Sequence, residues 1–456
     1  MELKKVWLAI GMLIMTMGAV AQNNFRYRVK LTDKKATEYS LAHPKKYLSK
    51  RAVERRKKQG LAIDSTDLPV CSAYIKMLEE QGGRCVHTSK WNNTVIMETS
   101  SEAVAEAYRK QPFVESVRKV WIEIKLPVQK KENRKEEVTN RNKKQKDRFG
   151  LSKAQIALHR GDSLHQMGYR GRGIHIAVID AGFYNVDAMN MFKRARILGT
   201  HDFVNPQSDI YGEHNHGLKV LSCMAANIPH TLVGTAPEAS YWLLRSEDND
   251  TEQIIEEDNW AAAVEFADSV GVDVINTSLG YYSYDNADDN YQYRELDGHT
   301  SLMSNTASYI AKKGMVLVCS AGNTGLSTWK KITPPADGED ILTVGAIDLD
   351  GLNTDFSAIG YTADGRVKPD VMSAGFKVSV AGNNGGTSYA NGTSFSAPIL
   401  CGLVACLWQA CPWMNALDII DVVRRSGDRY DVPDNIYGYG IADMYKAYQL
   451  ALQKKH

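Results

Sequence analysis

The chain has 456 residues, 43 % of them hydrophobic, and its 55 basic and 53 acidic residues leave a net charge of +2. This length and composition allow a large buried core and predict two or three domains. The near-neutral balance of charge gives no support to nucleic acid or an anionic membrane as a partner.

The first 21 residues have the pattern of a signal peptide. Lys4 and Lys5 precede an apolar run from Val6 to Met17, and Ala19-Val20-Ala21 supplies a small-x-small cleavage site. The apolar run is shorter than the roughly 20 residues that a spanning helix needs, which favours export over anchoring. We find no later stretch long and apolar enough to cross a bilayer. The sequence therefore predicts a secreted or periplasmic protein without a transmembrane segment in its mature form.

Residues 22–126 predict a small α+β domain. Its strand-like runs are Phe25 to Leu31, Arg84 to Thr88, Thr94 to Glu98 and Val117 to Ile124, and its helical runs are Pro44 to Gln59, Cys71 to Gln81 and Ser101 to Lys110. Lys and Arg residues crowd the first helix between Lys45 and Lys58, and we interpret them as a solvated face rather than a surface for an acidic partner. Cys71 and Cys85 could pair in an oxidising compartment.

Residues 127–149 have the composition of an exposed basic linker. Almost no apolar residue occurs from Gln129 to Arg148, so this segment cannot contribute to a core. Exposed linkers are readily cut by proteases. In an exported chain this favours a precursor that is cleaved between Leu126 and Phe149.

Residues 150–456 predict an α/β domain with a doubly wound parallel sheet, because short apolar runs typical of strands covered on both faces alternate with helical stretches. The strand-like runs are Gly173 to Asp180, Ser240 to Leu244, Val272 to Asn276, Met315 to Ser320, Ile341 to Ala346 and Val378 to Ala381, and the helical runs are Gly217 to Ala226, Glu252 to Val270, Thr300 to Lys313 and Ile399 to Leu407. A functional site is expected at the carboxyl ends of these strands.

Ser394 is a candidate nucleophile. It precedes the apolar run from Ile399 to Leu407, which places it near a helix N-terminus, where unpaired N–H groups favour a developing negative charge. A serine hydroxyl needs a histidine base and an orienting carboxylate. Asp180 ends the first buried strand and His216 begins a helical run. Alone, each could be a cap, and His216 with His214 could bind a metal, but no third ligand is evident.

The order Asp180, His216, Ser394 differs from the Ser, Asp, His order of α/β-hydrolases and the His, Asp, Ser order of chymotrypsin. From about Phe149 to Lys446 the chain resembles the subtilisin-type serine peptidases, the subtilases. Four blocks carry the resemblance, and they are Val178-Ile179-Asp180-Ala181-Gly182, His216-Gly217-Leu218-Lys219-Val220, Ser320-Ala321-Gly322-Asn323 and Asn391-Gly392-Thr393-Ser394-Phe395-Ser396-Ala397-Pro398.

The resemblance implies a serine endopeptidase that acts on polypeptides through an acyl-enzyme intermediate. Ser394 would attack the scissile carbonyl, His216 would transfer the proton, and Asp180 would orient the imidazole. Asn323 matches the side-chain donor of the family's oxyanion hole. A further segment resembles the strand end that pairs with substrate backbone, and its substrate-binding candidates are Ser278, Leu279 and Gly280.

The resemblance also implies that residues 22–126 form a ferredoxin-like propeptide that inhibits the enzyme within its own chain. No cofactor is required. Many subtilases bind structural calcium, but no loop here matches a calcium motif, and no metal ligand is assigned. The chain departs from the family pattern in two blocks. Ala181 replaces a Thr or Ser that supports the aspartate. In the histidine block the departures are Leu218, Lys219, Leu221 and Ser222, of which Leu221 and Ser222 replace small residues between the histidine and serine helices.

Two other functions remain open at the level of sequence. A serine esterase would require Gly-x-Ser-x-Gly, whose last position is taken by Ser396, and a catalytically inactive binding protein predicts the loss of a triad member. For side-chain specificity, the family's main pocket places Thr333 near the floor and Trp329 near the rim. A run of acidic residues from Glu247 to Asp258 could favour basic substrates, although a solvated loop and helix face is the preferred interpretation.

Overall fold

The computed structural model describes residues 23–124 and 146–455. The predicted signal peptide and residues 127–145 of the predicted linker lie outside the described residues. The described part of the chain forms a small N-terminal domain packed against a larger C-terminal domain.

The N-terminal domain is an antiparallel sheet backed by helices. Its elements are strands β1 (Phe25–Leu31), β2 (Arg84–Ser89), β3 (Thr94–Thr99) and β4 (Val114–Ile122), and helices α1 (Lys50–Lys58), α2 (Ser72–Glu80) and α3 (Ala103–Arg109). The strand order is β2-β3-β1-β4, and every neighbouring pair is antiparallel. This is the ferredoxin-like arrangement, as predicted. Val29, Val95 and Met97 are fully buried between the sheet and its helices.

The C-terminal domain is built on a seven-stranded parallel sheet. The strands of the domain, including those outside this sheet, are β5 (His175–Asp180), β6 (Arg196–Asp202), β7 (Asn227–Ile228), β8 (Leu232–Val233), β9 (Ser240–Arg245), β10 (Val274–Thr277), β11 (Val316–Ser320), β12 (Leu342–Ile347), β13 (Val371–Ala374), β14 (Val378–Ala381) and β15 (Thr387–Ala390). The sheet has the order β13-β12-β11-β10-β5-β9-β6, and all its neighbours pair in parallel. The predicted fold class is confirmed.

Helices cover both faces of this sheet. They are α4 (Lys153–Ala157), α5 (Gly161–Gln166), α6 (His216–Ala225), α7 (Ile255–Val270), α8 (Leu302–Ile310), α9 (Thr393–Ala410), α10 (Ala416–Ser426) and α11 (Met444–Gln453). Helices α6, α9 and α10 pack on one face, and α7 and α8 pack on the other. Because the central strands are covered on both sides, their sequences are continuous apolar runs.

Helix α9 corrects one expectation from the sequence. Among the described residues it is the one helix long and apolar enough to span a membrane, so the statement that no such stretch follows the leader was wrong. However, 94 % of the helix is buried inside the domain. Its apolar character on all sides is that of a central core helix.

Two other expectations also fail. The run from Val378 to Ala381 does not join the parallel sheet but pairs antiparallel with β15 as a separate hairpin. Cys71 and Cys85 do not pair, since all seven cysteines are free thiols. Strands β6 and β13, which the sequence patterns missed, complete the two edges of the parallel sheet.

The interface between the domains buries charged side chains. Arg55 and Arg56 of α1 are 5 % and 1 % exposed, and both donate hydrogen bonds to Asp268 of α7. Lys90 donates to the same carboxylate at 2.8 Å. Arg55 and Arg56 are therefore not solvated but pair with the C-terminal domain of the same chain, whereas Lys50, Lys57 and Lys58 of α1 are exposed, as the sequence predicted.

Candidate active site

Asp180 and His216 meet at the carboxyl end of the central strand β5. Asp180 is the last residue of that strand and is fully buried, and the His216 Nδ1–H donates to its Oδ1 at 2.8 Å. The Ala181 backbone N–H donates to the same oxygen at 2.8 Å. Residue 181 has no side-chain hydroxyl that could support the carboxylate, as the sequence indicated. Its backbone N–H holds the carboxylate instead.

Two glycines allow this close approach. A Cβ atom on Gly217 would lie 2.3 Å from the Gly182 carbonyl oxygen and 3.0 Å from the Asp180 Cβ. Gly182 itself has φ +155°, and a Cβ there would lie 2.4 Å from the His214 backbone nitrogen. The turn after β5 and the first turn of α6 therefore touch through backbone, which brings the aspartate and the imidazole within hydrogen-bonding distance.

Ser394 is the second residue of α9 and lines the same cleft as His216, a cavity of about 340 Å³. Its hydroxyl donates to the Ser278 carbonyl at 3.4 Å, and the Ser278 hydroxyl donates to the Ser394 carbonyl at 2.9 Å. The neighbouring Phe395 ring lies 5.8 Å from the imidazole, centroid to centroid. No hydrogen bond joins the Ser394 hydroxyl to the His216 imidazole within the described residues, and hydrogen bonds of catalytic groups often tighten only when substrate binds.

Asn323 is oriented by the first residue of α9. Its Oδ1 accepts from the Thr393 N–H at 2.9 Å and from the Thr393 hydroxyl at 3.0 Å. Because the oxygen is occupied twice, the Nδ2 amide group is the part that can donate into the cleft. The Ser394 N–H, in the first turn of the helix, has no acceptor within the described ranges. Two donors are thus available beside the serine hydroxyl.

The opposite wall of the cleft is the segment that follows β10. Ser278, Leu279 and Gly280 all line the cleft. A Cβ on Gly280 would lie 2.3 Å from the Thr333 Oγ1, so glycine opens a recess above that threonine. Thr333 is 3 % exposed and also lines the cleft. Trp329 stacks on Tyr282 of this wall at 4.7 Å.

The bulkier residues Leu221 and Ser222 fit into the structure around α6 and α9. Leu221 is fully buried in the core shared by α6 and α9. The Ser222 hydroxyl accepts from the Ala381 N–H at 2.9 Å and donates to the Lys219 carbonyl at 2.6 Å. Ser222 therefore links α6 to β14 in addition to filling space.

Charged groups raise the pKa of His216 above its ordinary value. Burial alone would lower it, but the charge and hydrogen bond of Asp180, together with the nearby Glu247, outweigh the burial. Burial, followed by the charge of Asp180, raises the pKa of Glu247 to about 8. Burial, followed by Asp285, raises the pKa of Glu252 to about 7. The imidazole thus faces a wall of carboxyl groups.

The acidic run was misjudged at the level of sequence. Glu256, Glu257 and Asp258 are each at most 2 % exposed, so they do not form a solvated face. Glu247 and Glu252 are half-buried and line the cleft. The available signal was position, because the run begins where β9 ends, at the same sheet edge as Asp180. Within residues 23–124 and 146–455, no group of three or more His, Cys, Asp or Glu side chains is arranged to hold a metal ion.

Comparison with known proteins gives two family matches. The subtilase family matches residues 171–440. The peptidase S8 propeptide domain of Bacteroidota matches residues 26–141.

Curated relatives align mainly with the C-terminal domain. The chain is 30 % identical over 279 residues to the thermophilic serine proteinase of Bacillus sp. (strain AK1), covering 60 % of this chain and 61 % of that protein. It is 28 % identical over 301 residues to subtilisin DY of Bacillus licheniformis, covering 64 % of this chain and 97 % of that protein. The chain therefore spans less than two thirds of the first relative and nearly all of the second.

A solved structure with the same fold is MycP1 from the ESX-1 type VII secretion system. It superposes with a TM-score of 0.53 at 23 % identity, covering 68 % of this chain and 88 % of that one. At this level of identity the likeness concerns the fold alone. It agrees with the parallel sheet and flanking helices described above.

Proposed function

The chain belongs to the subtilase family of serine-type endopeptidases, and from this membership we propose that it hydrolyses peptide bonds through Ser394, His216 and Asp180. The observation that carries the proposal is the 2.8 Å hydrogen bond between His216 and the buried Asp180, made at the rim of the cleft that Ser394 lines. It fixes the imidazole tautomer with Nε2 free to accept a proton.

In the proposed reaction the Ser394 hydroxyl attacks the scissile carbonyl carbon while its proton passes to His216. The carbonyl oxygen becomes an oxyanion and accepts hydrogen bonds from the Asn323 amide and the Ser394 N–H. When the intermediate collapses, the peptide C–N bond breaks, and the imidazolium returns the proton to the leaving amine. Water then hydrolyses the acyl-enzyme by the same steps. Asp180 stays ionised and stabilises the imidazolium.

Substrate backbone is proposed to bind along Ser278, Leu279 and Gly280 as an added strand. Support comes from their place opposite Ser394 and from the Ser278 carbonyl, which lies 3.4 Å from the Ser394 hydroxyl. The side chain before the scissile bond would then enter the recess above Thr333. This arrangement selects extended polypeptide rather than a small ester.

A fluorophosphonate probe tests the nucleophile. We expect the processed protein to be labelled on the peptide that contains Ser394, and Ser394→Ala to abolish the label. Ser396→Ala is the matched control, because Ser396 lies in the same helix and bonds the Ser373 carbonyl at 3.2 Å, away from the cleft. Labelling on another residue would contradict the role of Ser394, and no labelling with no peptide hydrolysis by folded, processed protein would favour an inactive binding protein. Labelling of Ser394 with hydrolysis of esters but not of peptides would favour an esterase.

The N-terminal domain is a propeptide domain of this peptidase class. Its proposed role is intramolecular inhibition in an exported precursor, with cleavage between Leu126 and Phe149. The described part of the domain ends at Ile124, and the Ile122 N–H and carbonyl are both held by the side chain of Gln253 near the cleft. N-terminal sequencing of the secreted form tests this, and a first residue before Gln81 or inside the C-terminal domain would contradict it.

A further inference from the structure

One wall of the cleft carries carboxyl groups without ionic partners. Glu247 and Glu252 line the cleft, and within the described residues neither forms an ion pair or a side-chain hydrogen bond. Behind them, Glu256 is 1 % exposed, and both its carboxylate oxygens are buried without a hydrogen bond. Here we call Glu247, Glu252 and Glu256 the acidic wall.

A buried tyrosine of the cleft strengthens this observation. Tyr281 is 3 % exposed, lines the cleft, and has a hydroxyl that completes no hydrogen bond to any described residue. It is near enough to Glu256 for each group to affect the other's pKa, but their contact does not meet hydrogen-bond geometry. Buried polar groups in native proteins are nearly always paired. Such a cluster beside an open cleft therefore points to a bound partner that donates hydrogen bonds.

The partner has to be a cation larger than a metal ion. The three carboxyl groups do not converge on a common point as metal ligands would. A guanidinium presents five N–H donors over a planar fork, and an ammonium presents three on a flexible stem, so either can reach several separate acceptors. In a peptidase cleft, side chains of the substrate supply these groups.

The position of the acidic wall determines which residues of the substrate it can contact. Glu247 is close enough to Asp180 and His216 to affect the titration of the imidazole, so the wall begins beside the catalytic groups. Side chains of an extended peptide alternate between opposite faces. When one side chain enters the recess above Thr333, its neighbours in the chain are directed to the other side of the cleft.

We propose that the acidic wall binds the guanidinium or ammonium group of a substrate side chain within the four residues before the scissile bond, so that this peptidase prefers Arg or Lys there. The inference rests on the proposed peptidase function and specifies its substrate class. The chain's own sequence is consistent with this preference, because basic residues are frequent between Lys125 and Arg148, where processing is proposed.

Because the acidic wall can be protonated, the preference for a cationic side chain depends on pH. Burial raises the pKa of Glu247 to about 8 and of Glu252 to about 7, so in an empty cleft near pH 7 Glu247 is mostly protonated and Glu252 about half protonated. A bound cation displaces those protons, and binding strengthens as pH rises. The charged and titratable groups that face the wall are Asp180, His216, Arg245, Asp248, Tyr281 and Asp285.

The test compares two peptides that differ only in arginine or citrulline, which has the same shape without the charge. The chain is expressed in full and left to complete its processing, and the substituted position is scanned through the four residues before the scissile bond. At pH 8 we expect kcat/KM for the arginine peptide to exceed that for the citrulline peptide at least about tenfold at one position, the factor typical of charge-assisted hydrogen bonds. The ratio should grow between pH 6 and pH 9, and since it compares two substrates of one enzyme, titration of His216 cancels.

Variants then assign the preference to the wall. Glu247→Gln with Glu252→Gln should bring the ratio to within about twofold of one, and Glu252→Gln alone should lower it. Glu339→Gln, an exposed carboxylate outside the cleft, should leave the ratio unchanged. Two results would overturn this inference but leave the proposed function intact. One is an active enzyme whose ratio is near one at every position, and the other is a ratio that both the double variant and Glu252→Gln retain. Failure of the processed protein to cleave either peptide overturns the proposed function and this inference with it. If the double variant does not fold, Glu252→Gln and the wild-type pH series still decide.

Discussion

Replacing Asp268 with Asn removes the anion that three buried cations of the propeptide domain share. Arg55, Arg56 and Lys90 donate to this carboxylate at 2.6, 3.0 and 2.8 Å, and Asp268 is fully buried. In the described part of the chain, only Arg56 keeps a second ion pair, to Asp67. Removing one partner of a buried ion pair costs about 3–5 kcal/mol, because the remaining charge is left uncompensated. We expect a loss of this size in the docking of the propeptide domain.

Hydrogen exchange of strands β1 and β3 measures this loss in the full chain. Ser394→Ala serves as the background, so that no self-cleavage occurs. We expect Asp268→Asn to speed exchange in these strands by about 150- to 5,000-fold, the equivalent of 3–5 kcal/mol. The matched control is Asp289→Asn, which breaks the pair with Arg118 across the same interface, where the arginine side chain is 48 % exposed. That pair is worth about 0–1 kcal/mol. Equal effects of the two variants would refute the reasoning.

The pKa of Asp268 determines the pH range over which the interface loses stability. Burial alone would raise the pKa of Asp268, but Lys90, Arg56 and Arg55 hold it well below the ordinary value. A lowered folded-state pKa gives stability that is present above the unfolded value of about 4 and is lost as pH falls towards the folded value. The exchange difference between Asp268→Asn and its parent should therefore be constant from pH 5 to pH 8. A difference that disappears on mild acidification would show that this group is not held ionised by its partners.

Three further predictions concern the catalytic groups. Asn323→Ala should lower kcat by about 10²- to 10³-fold with little change in KM, the loss typical of an oxyanion-hole donor, and steady-state kinetics would check it. Gly217→Ala should prevent the active fold, because its Cβ would lie 2.3 Å from the Gly182 carbonyl; soluble, active variant enzyme would contradict this. Activity should fall with decreasing pH through an apparent pKa above 6.5, since His216 must be neutral to act as base, and Asp180→Asn should lower that apparent pKa in a kcat/KM pH profile.

The residues of the candidate site could be located from sequence because each ends or begins a strongly patterned element. Asp180 follows a run buried on both faces, His216 begins a helix, and Ser394 begins the apolar helix α9. Runs of this kind form central strands and core helices. The carboxyl ends of the strands and the amino ends of the helices therefore meet at one edge of the sheet. The parallel sheet was predictable for the same reason. The edge strand β6 was not, because all its residues except Asp202 are exposed or half-buried and they show no apolar run.

Contacts between the domains could not be read from local patterns. Arg55 and Arg56 of α1 pair with Asp268 of α7, and Arg28 of β1 pairs with Asp258 of α7, but the composition of these segments is also that of solvated surfaces. Ser222 is a similar case, since its link to the Ala381 N–H depends on where β14 lies in space. Charge alone does not distinguish water from a complementary protein surface. The acidic wall was misjudged because composition does not show that Glu247 and Glu252 line the cleft, although their position after β9 was visible.

The interface between the domains carries many charged side chains, which bears on the proposed release of the propeptide domain. On α7, Asp258 forms a bidentate pair with Arg28 at 2.7 and 2.6 Å, and Glu265 accepts from the Lys90 and Trp91 N–H groups. An apolar interface would hold the propeptide as firmly, but its loss would expose a hydrophobic patch on the enzyme. Carboxylates can instead be hydrated once their partners depart, and hydration offsets much of the lost attraction. The domain is held by these charged contacts together with apolar contacts of Trp91, Ile96 and Val120, so its removal would expose both carboxylates and hydrophobic side chains of the C-terminal domain.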